Sequence, residues 1–164
     1  MFQGVTGFPR RRLILAGILG AWLACAGEPC LAEAAKVESL QVVSQDGKVH
    51  AFKVEVVDND ATRERGLMFR KHLAADAGML FDFKEPSYEA FWMKNTYIPL
   101  DIVFIDANGR ILNIARMAKP LDETNLPSAG PVLGVLEING GEAAKLHING
   151  GDLVRHRIFH PAGG

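Results

Sequence analysis

Beyond residue 36 the chain reads mainly as short strands joined by turns. Leu40 and Val42 alternate with polar neighbours, Asp46-Gly47 interrupts them, and Phe52, Val54 and Val56 resume the alternation. Asp-Gly between two alternating runs is a hairpin signal, because glycine takes up the positive φ that the turn requires. Asp60 is placed to cap a short helix over 61–69, with Arg63, Glu64 and Arg65 facing solvent and Leu67 and Met68 facing inward. Gly66 inside that helix lowers its propensity unless a close contact requires the missing side chain.

Residues 79–83 read as a strand, 84–87 as a turn and 88–93 as another strand, closed by Lys94-Asn95-Thr96. The run 98–105 is apolar except for Asp101, and Asp106-Ala107-Asn108-Gly109 turns it back into 110–117. Residues 118–131 are Pro-rich and polar with little periodicity; a loop of that length in a compact domain is usually functional or mobile. A strand over 132–138, a helical turn over 142–146 and a closing strand over 153–159 complete the chain. At least seven short strands and two short helices predict an α+β, mostly β domain with a curled or barrel-like sheet. With turns rather than long helices as connections, a doubly wound parallel sheet is not expected.

The pattern changes at the N-terminus. Arg10, Arg11 and Arg12 precede a run from Leu13 to Ala24 without a charge. That run is short of the roughly 20 residues that span a bilayer, but it suits the core of a signal peptide. Small-residue cleavage sites follow, predicting removal of residues 1–32, or up to 34, and leaving a domain over 33–164 with its core at about 37–159. A retained anchor, or lipidation at Cys25, is the competing reading, and membrane contact is expected through this segment alone. Both cysteines, Cys25 and Cys30, lie in it, so the exported domain has no thiol chemistry. The predicted location is the periplasm or cell envelope.

At 164 residues and 48% hydrophobic content the chain suits one globular domain. Its net charge is −1, but the first 32 residues hold three arginines against Glu28, so the remainder is more acidic still. An acidic domain with no basic stripe argues against a nucleic-acid partner, whose phosphates demand clustered Lys and Arg.

The densest segment runs Phe91-Trp92-Met93-Lys94-Asn95-Thr96-Tyr97-Ile98-Pro99-Leu100-Asp101-Ile102-Val103-Phe104-Ile105-Asp106. Together with Arg65-Gly66-Leu67-Met68, Gly78-Met79-Leu80-Phe81, Val135-Leu136-Glu137-Ile138 and Gly150-Gly151-Asp152, it resembles the family known as domain of unknown function 192. The resemblance covers nearly all of residues 37–159. It implies a small β-rich domain, often behind a signal or anchor, without an agreed biochemical role. Family members often carry an aromatic residue where this chain has Asn125-Leu126-Pro127-Ser128, so any role of that aromatic is in doubt.

Trp92, Lys94, Asn95, Thr96 and Asp101 put an aromatic face, a cation, an amide, a hydroxyl and a carboxyl within ten residues. With Arg65 they could converge on a small polar ligand, Trp92 forming a wall. The competing reading is structural: Asn95 and Thr96 bond the turn backbone, Asp101 pairs with Arg65 or Lys94, and Trp92 belongs to the core. Asp101 interrupts an apolar strand, so if buried it needs a partner or a raised pKa. Asp101 and Glu137 could instead do paired-carboxyl acid–base work on a glycan. Met68, Met79 and Met93 invite a Cu(I) reading, but their Leu and Phe neighbours suit gap-filling in a core. No phosphate loop or nucleophile elbow is present, and no cofactor is expected. The leading expectation is a non-catalytic binding or accessory domain for a small polar ligand or an envelope protein. Its face would be the Trp92 to Asp101 turn together with the 118–131 loop, and a carboxyl-based hydrolase is the competitor.

Overall fold

The computed structural model describes residues 36–160, so the expected signal segment lies outside the described residues. In chain order the elements are β1 (Lys36–Val43), β2 (Val49–Val57), α1 (Asp60–Arg65), β3 (Ala77–Ser87), β4 (Ala90–Phe91) and β5 (Leu100–Ile105). They continue with β6 (Ile111–Ala118), β7 (Leu126–Pro127), β8 (Val132–Asn139), α2 (Glu142–Lys145) and β9 (Leu153–Arg155). Seven strands form one sheet in the order β6-β5-β8-β3-β2-β1-β9, and β4 pairs with β7 in a separate two-stranded ribbon.

The first hairpin is as the alternation predicts: β1 and β2 are antiparallel, with Leu40 opposite Phe52 and Val42 opposite His50. β2 and β3 are parallel, so the chain crosses between them through α1 and the loop that follows it. All other neighbours in the sheet are antiparallel. Arg110, just before β6, bridges to Leu153 in β9, linking the two edges. The sheet curls into a half-barrel, and the domain is the mostly β, α+β type expected from the sequence.

Several boundaries differ from the sequence reading. The cap of α1 is Asn59, whose side chain accepts from the Thr62 N–H at 3.0 Å; Asp60 is inside the helix and pairs with Arg63 instead. The expected turn at 84–87 is a continuation of β3 with irregular register after Asp82, made possible by Lys84 at φ 67°. The expected strand over 88–93 shrinks to β4, and the closing strand to β9. β4 has only the two-residue β7 beside it, and β9 pairs with β1 only over Gln41 to Val43.

The core has two parts, one on each face of the sheet. Leu40, Val42, Phe52, Val54, Leu80, Val103, Leu136 and Ile138 fill the inside of the curl, with Ala143 of α2 closing it. Met79, Phe81, Leu100, Ile102, Phe104 and Val135 face the other way and are covered by Leu67, Leu73 and Met93. β1 and β2 supply mainly the first core, whereas β3, β5 and β8 are buried on both faces. That explains the nearly unbroken apolar runs 98–105 and 132–138, where alternation fails.

Gly66 ends α1 with φ 45° and ψ −136°. A Cβ there would stand 3.2 Å from the Phe81 ring, so the glycine answers both a backbone and a packing demand. Replacing Gly66 by Ala should destabilise the domain by about 2 kcal/mol, combining left-handed strain with displacement of Phe81. Urea unfolding would read this as a lower midpoint with an unchanged slope.

Candidate functional site

The outer face of β3, β5 and β8 is covered by loops, and these loops build the candidate site. Phe91 anchors them, meeting Phe81 edge-on at 5.0 Å and Phe104 at 5.9 Å between ring centroids. Three loop segments are then tied together by backbone hydrogen bonds. Phe69 N–H donates to the Asn95 carbonyl at 2.8 Å, Met93 N–H to that of Asp122 at 2.8 Å, and Leu121 N–H to those of Met93 and Thr96, each at 3.2 Å. Phe69 (φ 64°), Asn95 (φ 54°) and Leu121 (φ 64°) adopt left-handed backbone at these joints. Asn tolerates that region; Phe and Leu do so at a cost of about 1–3 kcal/mol each, which the surrounding hydrogen bonds must offset.

Between the end of α1 and the turn after β4 lies a groove of about 380 Å³. Arg65, Met68, Phe69, Trp92, Lys94 and Asn95 line it, with Ala61 and Glu64 at the side of the helix. Trp92 is 44% exposed, and the Lys94 ammonium sits 5.3 Å from its ring centroid, a cation–π distance. Neither Arg65 nor Lys94 forms an ion pair or side-chain hydrogen bond within the described residues. Beneath the groove, sharing Glu64, Arg65, Met68 and Trp92 with it, is a smaller cavity of about 50 Å³. Thr96, Leu67, Phe81, Phe91 and Glu137 are also in its wall.

Of the residues singled out in the sequence, Arg65, Trp92, Lys94 and Asn95 therefore meet around the groove, and Thr96 and Glu137 at the cavity below. Thr96 also holds the turn, its hydroxyl donating to the Lys94 carbonyl at 3.2 Å. Asp101 is elsewhere. It is fully buried and accepts from the N–H of Met117 and of Ala143, both at 2.8 Å, joining β6 and the first turn of α2 to β5. The partners expected for it, Arg65 and Lys94, are not its partners; two backbone donors satisfy it instead. Asp152, in the matched Gly150-Gly151-Asp152 block, plays a similar part by accepting from Gln45 and Asn149 N–H.

Asp101 and Glu137 lie on adjacent strands, but the register pairs Ile102 with Glu137 and Asp101 with Ile138. Side chains alternate along a strand, so the two carboxyl groups point to opposite faces of the sheet. The paired-carboxyl arrangement considered from the sequence is thus not formed. Glu137 is 5% exposed, and its Oε2 has no hydrogen-bond partner among the described residues. Burial pushes its pKa up to about 8, against a smaller opposing pull from the Arg70 guanidinium. Arg70 itself is held by Glu55 in a two-bond pair at 2.5 and 2.7 Å.

The methionines separate as well. Met79 and Met93 are core residues of the outer face, whereas Met68 lines the groove. Among the described residues, no three His, Cys, Asp or Glu side chains gather in a metal-holding group. The sequence reading missed Glu64 and Phe69 as groove residues. A helix-face pattern could have found Glu64, but nothing in the sequence announces the left-handed turn that places Phe69.

Two substitutions separate the roles of the buried acids. Asp101→Ala strands the buried Ala143 N–H and the partly buried Met117 N–H and should lower unfolding free energy by about 3 kcal/mol. Glu137 is different in sign. Its folded pKa is raised above the ordinary value of 4.5, so the folded state holds a proton that the unfolded chain releases, and stability falls as pH climbs from about 4.5 to about 8. The full span is worth up to about 5 kcal/mol. Glu137→Gln should remove that decline, measured by urea unfolding at intervals between about pH 5 and 8.5.

Comparison with known proteins places this geometry in a family. The sequence model of DUF192, described as Uncharacterized ACR, matches residues 41–156. A crystal structure from Sinorhizobium meliloti 1021, provisionally described as a transcription regulator, is 39% identical, with a TM-score of 0.73 over 74% of this chain and 95% of that one. A protein of unknown function from Novosphingobium aromaticivorans is 44% identical, with a TM-score of 0.73 over 77% of this chain and 89% of the other. No curated protein matches. With the family match covering most of the chain and these relatives sharing its fold, the protein belongs to the DUF192 family.

Proposed function

We propose that this domain is a non-catalytic binding or accessory module of the periplasm or cell envelope, which takes a small polar ligand into the groove beside Trp92. The observation that carries this reading is the company Trp92 keeps. A half-exposed indole faces a groove whose two nearby cations, Arg65 and Lys94, form no ion pair among the described residues, above the buried Glu137 carboxyl, whose Oε2 has no hydrogen-bond partner among them. Structural surface charges need no such arrangement; ligand sites combine an apolar wall with a few converging polar groups.

The export expectation supports the envelope setting, because the Arg-rich start and following apolar run suit a signal peptide. A hydrolase reading draws support from the raised pKa of Glu137, but Asp101 cannot serve as its partner from the opposite face. A nucleic-acid role, as the Sinorhizobium relative's description would suggest, draws no support from an acidic domain without a basic stripe.

A thermal-shift screen of the full chain with sugars, nucleotides, peptides and small organic ions tests the proposal. A ligand at a hundred times its dissociation constant should stabilise the folded state by about 2.7 kcal/mol. That gain should vanish in Trp92→Ala and persist in Asp101→Asn, allowing for the latter's lower starting stability. Shifts indifferent to Trp92 would move binding away from this groove.

A further inference from the structure

Glu137 belongs to β8, which has β3 on one side and β5 on the other, so its backbone is covered and its side chain is what reaches the cavity beneath the groove. Met79 and Ile102 stand beside it on those strands and face the same outer side. Among the described residues its Oε2 has no hydrogen-bond partner. A buried polar atom left in that condition is costly, and a ligand that supplies the missing bond recovers the cost. Resting on the groove reading above, we infer that the cavity is a subsite for one neutral hydroxymethyl group of the ligand. That group hydrogen-bonds to the Glu137 carboxyl while the rest of the ligand lies in the groove against Met68 and Trp92.

Size and surroundings select that group. At about 50 Å³ the cavity has room for only a few heavy atoms. Leu67, Phe81 and Phe91 make much of its wall apolar. Thr96, also in the wall, gives its hydroxyl proton to the Lys94 carbonyl at 3.2 Å. A charged group entering here sheds its water among apolar side chains, which is far more costly than for a neutral one.

The charges nearby are committed or in water. Arg63 donates to the Asp82 carbonyl at 2.7 Å and to Asp60 at 2.6 Å. Arg70, whose charge acts on Glu137, is taken by Glu55 through two hydrogen bonds. Glu64 and Arg65 are exposed on α1, where water screens them. An anion therefore meets no buried, uncommitted cation here, and an ammonium has to pass Lys94 and Arg65 in the groove. A hydroxyl avoids both difficulties and suits Glu137 in either state, donating to the carboxylate or accepting from the carboxylic acid. Its single proton matches the single oxygen without a partner.

Sugars and aryl alcohols both carry a hydroxymethyl group, and the choice of probe tells them apart. The experiment is calorimetric titration of the full chain with methyl glucoside and with benzyl alcohol. The matched controls are the glucoside with a methyl in place of its hydroxymethyl, and toluene, benzoate and benzylammonium. At least one hydroxymethyl probe should bind about tenfold or more tightly than each of its own controls. Binding by the glucoside alone supports the subsite with a sugar ring in the groove, by benzyl alcohol alone with an aryl body, and by both with the hydroxymethyl group as the shared determinant.

Two variants assign the preference to Glu137. Glu137→Met puts an apolar group of similar volume in place of the carboxyl, so the melting temperature should hold or rise while the preference for the hydroxyl disappears. Glu137→Gln keeps a hydrogen-bonding partner, and the preference should persist. Silence from both hydroxymethyl probes, a control that binds as tightly as its alcohol, or a preference that survives Glu137→Met would each overturn the subsite and leave the cavity to water. If other ligands then shift the melting temperature in a Trp92-dependent way, the groove reading stands without it; if none does, both fall together.

Discussion

Water has to be kept off both faces of three adjacent strands, and much of this domain follows from that requirement. β3, β8 and β5 lie side by side at the centre of the sheet and are apolar above and below. The curl of the sheet, with α2, encloses one face. Among the described residues no long helix covers the other, and loops do so instead, with Phe91 set among Phe81, Phe83 and Phe104 as their anchor. Burying an aromatic side chain is worth a few kcal/mol, enough to fix a segment that has only two paired residues of its own. The candidate site is made in this covering layer, where a loop can present side chains that a regular strand could not.

The same layer concentrates backbone strain. Phe69 and Leu121 hold left-handed conformations that favour glycine or asparagine, and each is more than half exposed. Packing of their own side chains does not justify the cost. What holds them is the set of hydrogen bonds between the three loop segments, which leaves each N–H only one direction to point. The consequence is that the Phe69 side chain stands outward at the rim of the groove.

Two buried acids on neighbouring strands show how little residue type alone decides. Asp101 and Glu137 both interrupt apolar runs, and both are nearly inaccessible. Asp101 meets two N–H groups and becomes a joint between β5, β6 and α2. Glu137, on the opposite face, meets an apolar wall and the edge of a cavity, and burial keeps its proton on. One residue of register separates a structural acid from a candidate functional one, because a strand turns successive side chains to opposite faces.

The sequence by itself determined the fold class, the hairpin of β1 and β2, the turns at Gly47 and Gly109, and the family, since these rest on local periodicity and on the order of matched blocks. It also marked the segment from Trp92 to Thr96 with Arg65, and the acids Asp101 and Glu137, as chemically unusual. It could not say which of these meet. Asp101 was grouped with Trp92 because it is near in sequence, and with Glu137 because both are acids; neither grouping is formed. The extent of β4 and β9, the left-handed joints at Phe69 and Leu121, and the convergence of α1 with the Trp92 turn were decided only by tertiary structure. Each depends on which strand lies beside which and which face looks outward, and those are relations between distant residues that no local pattern records.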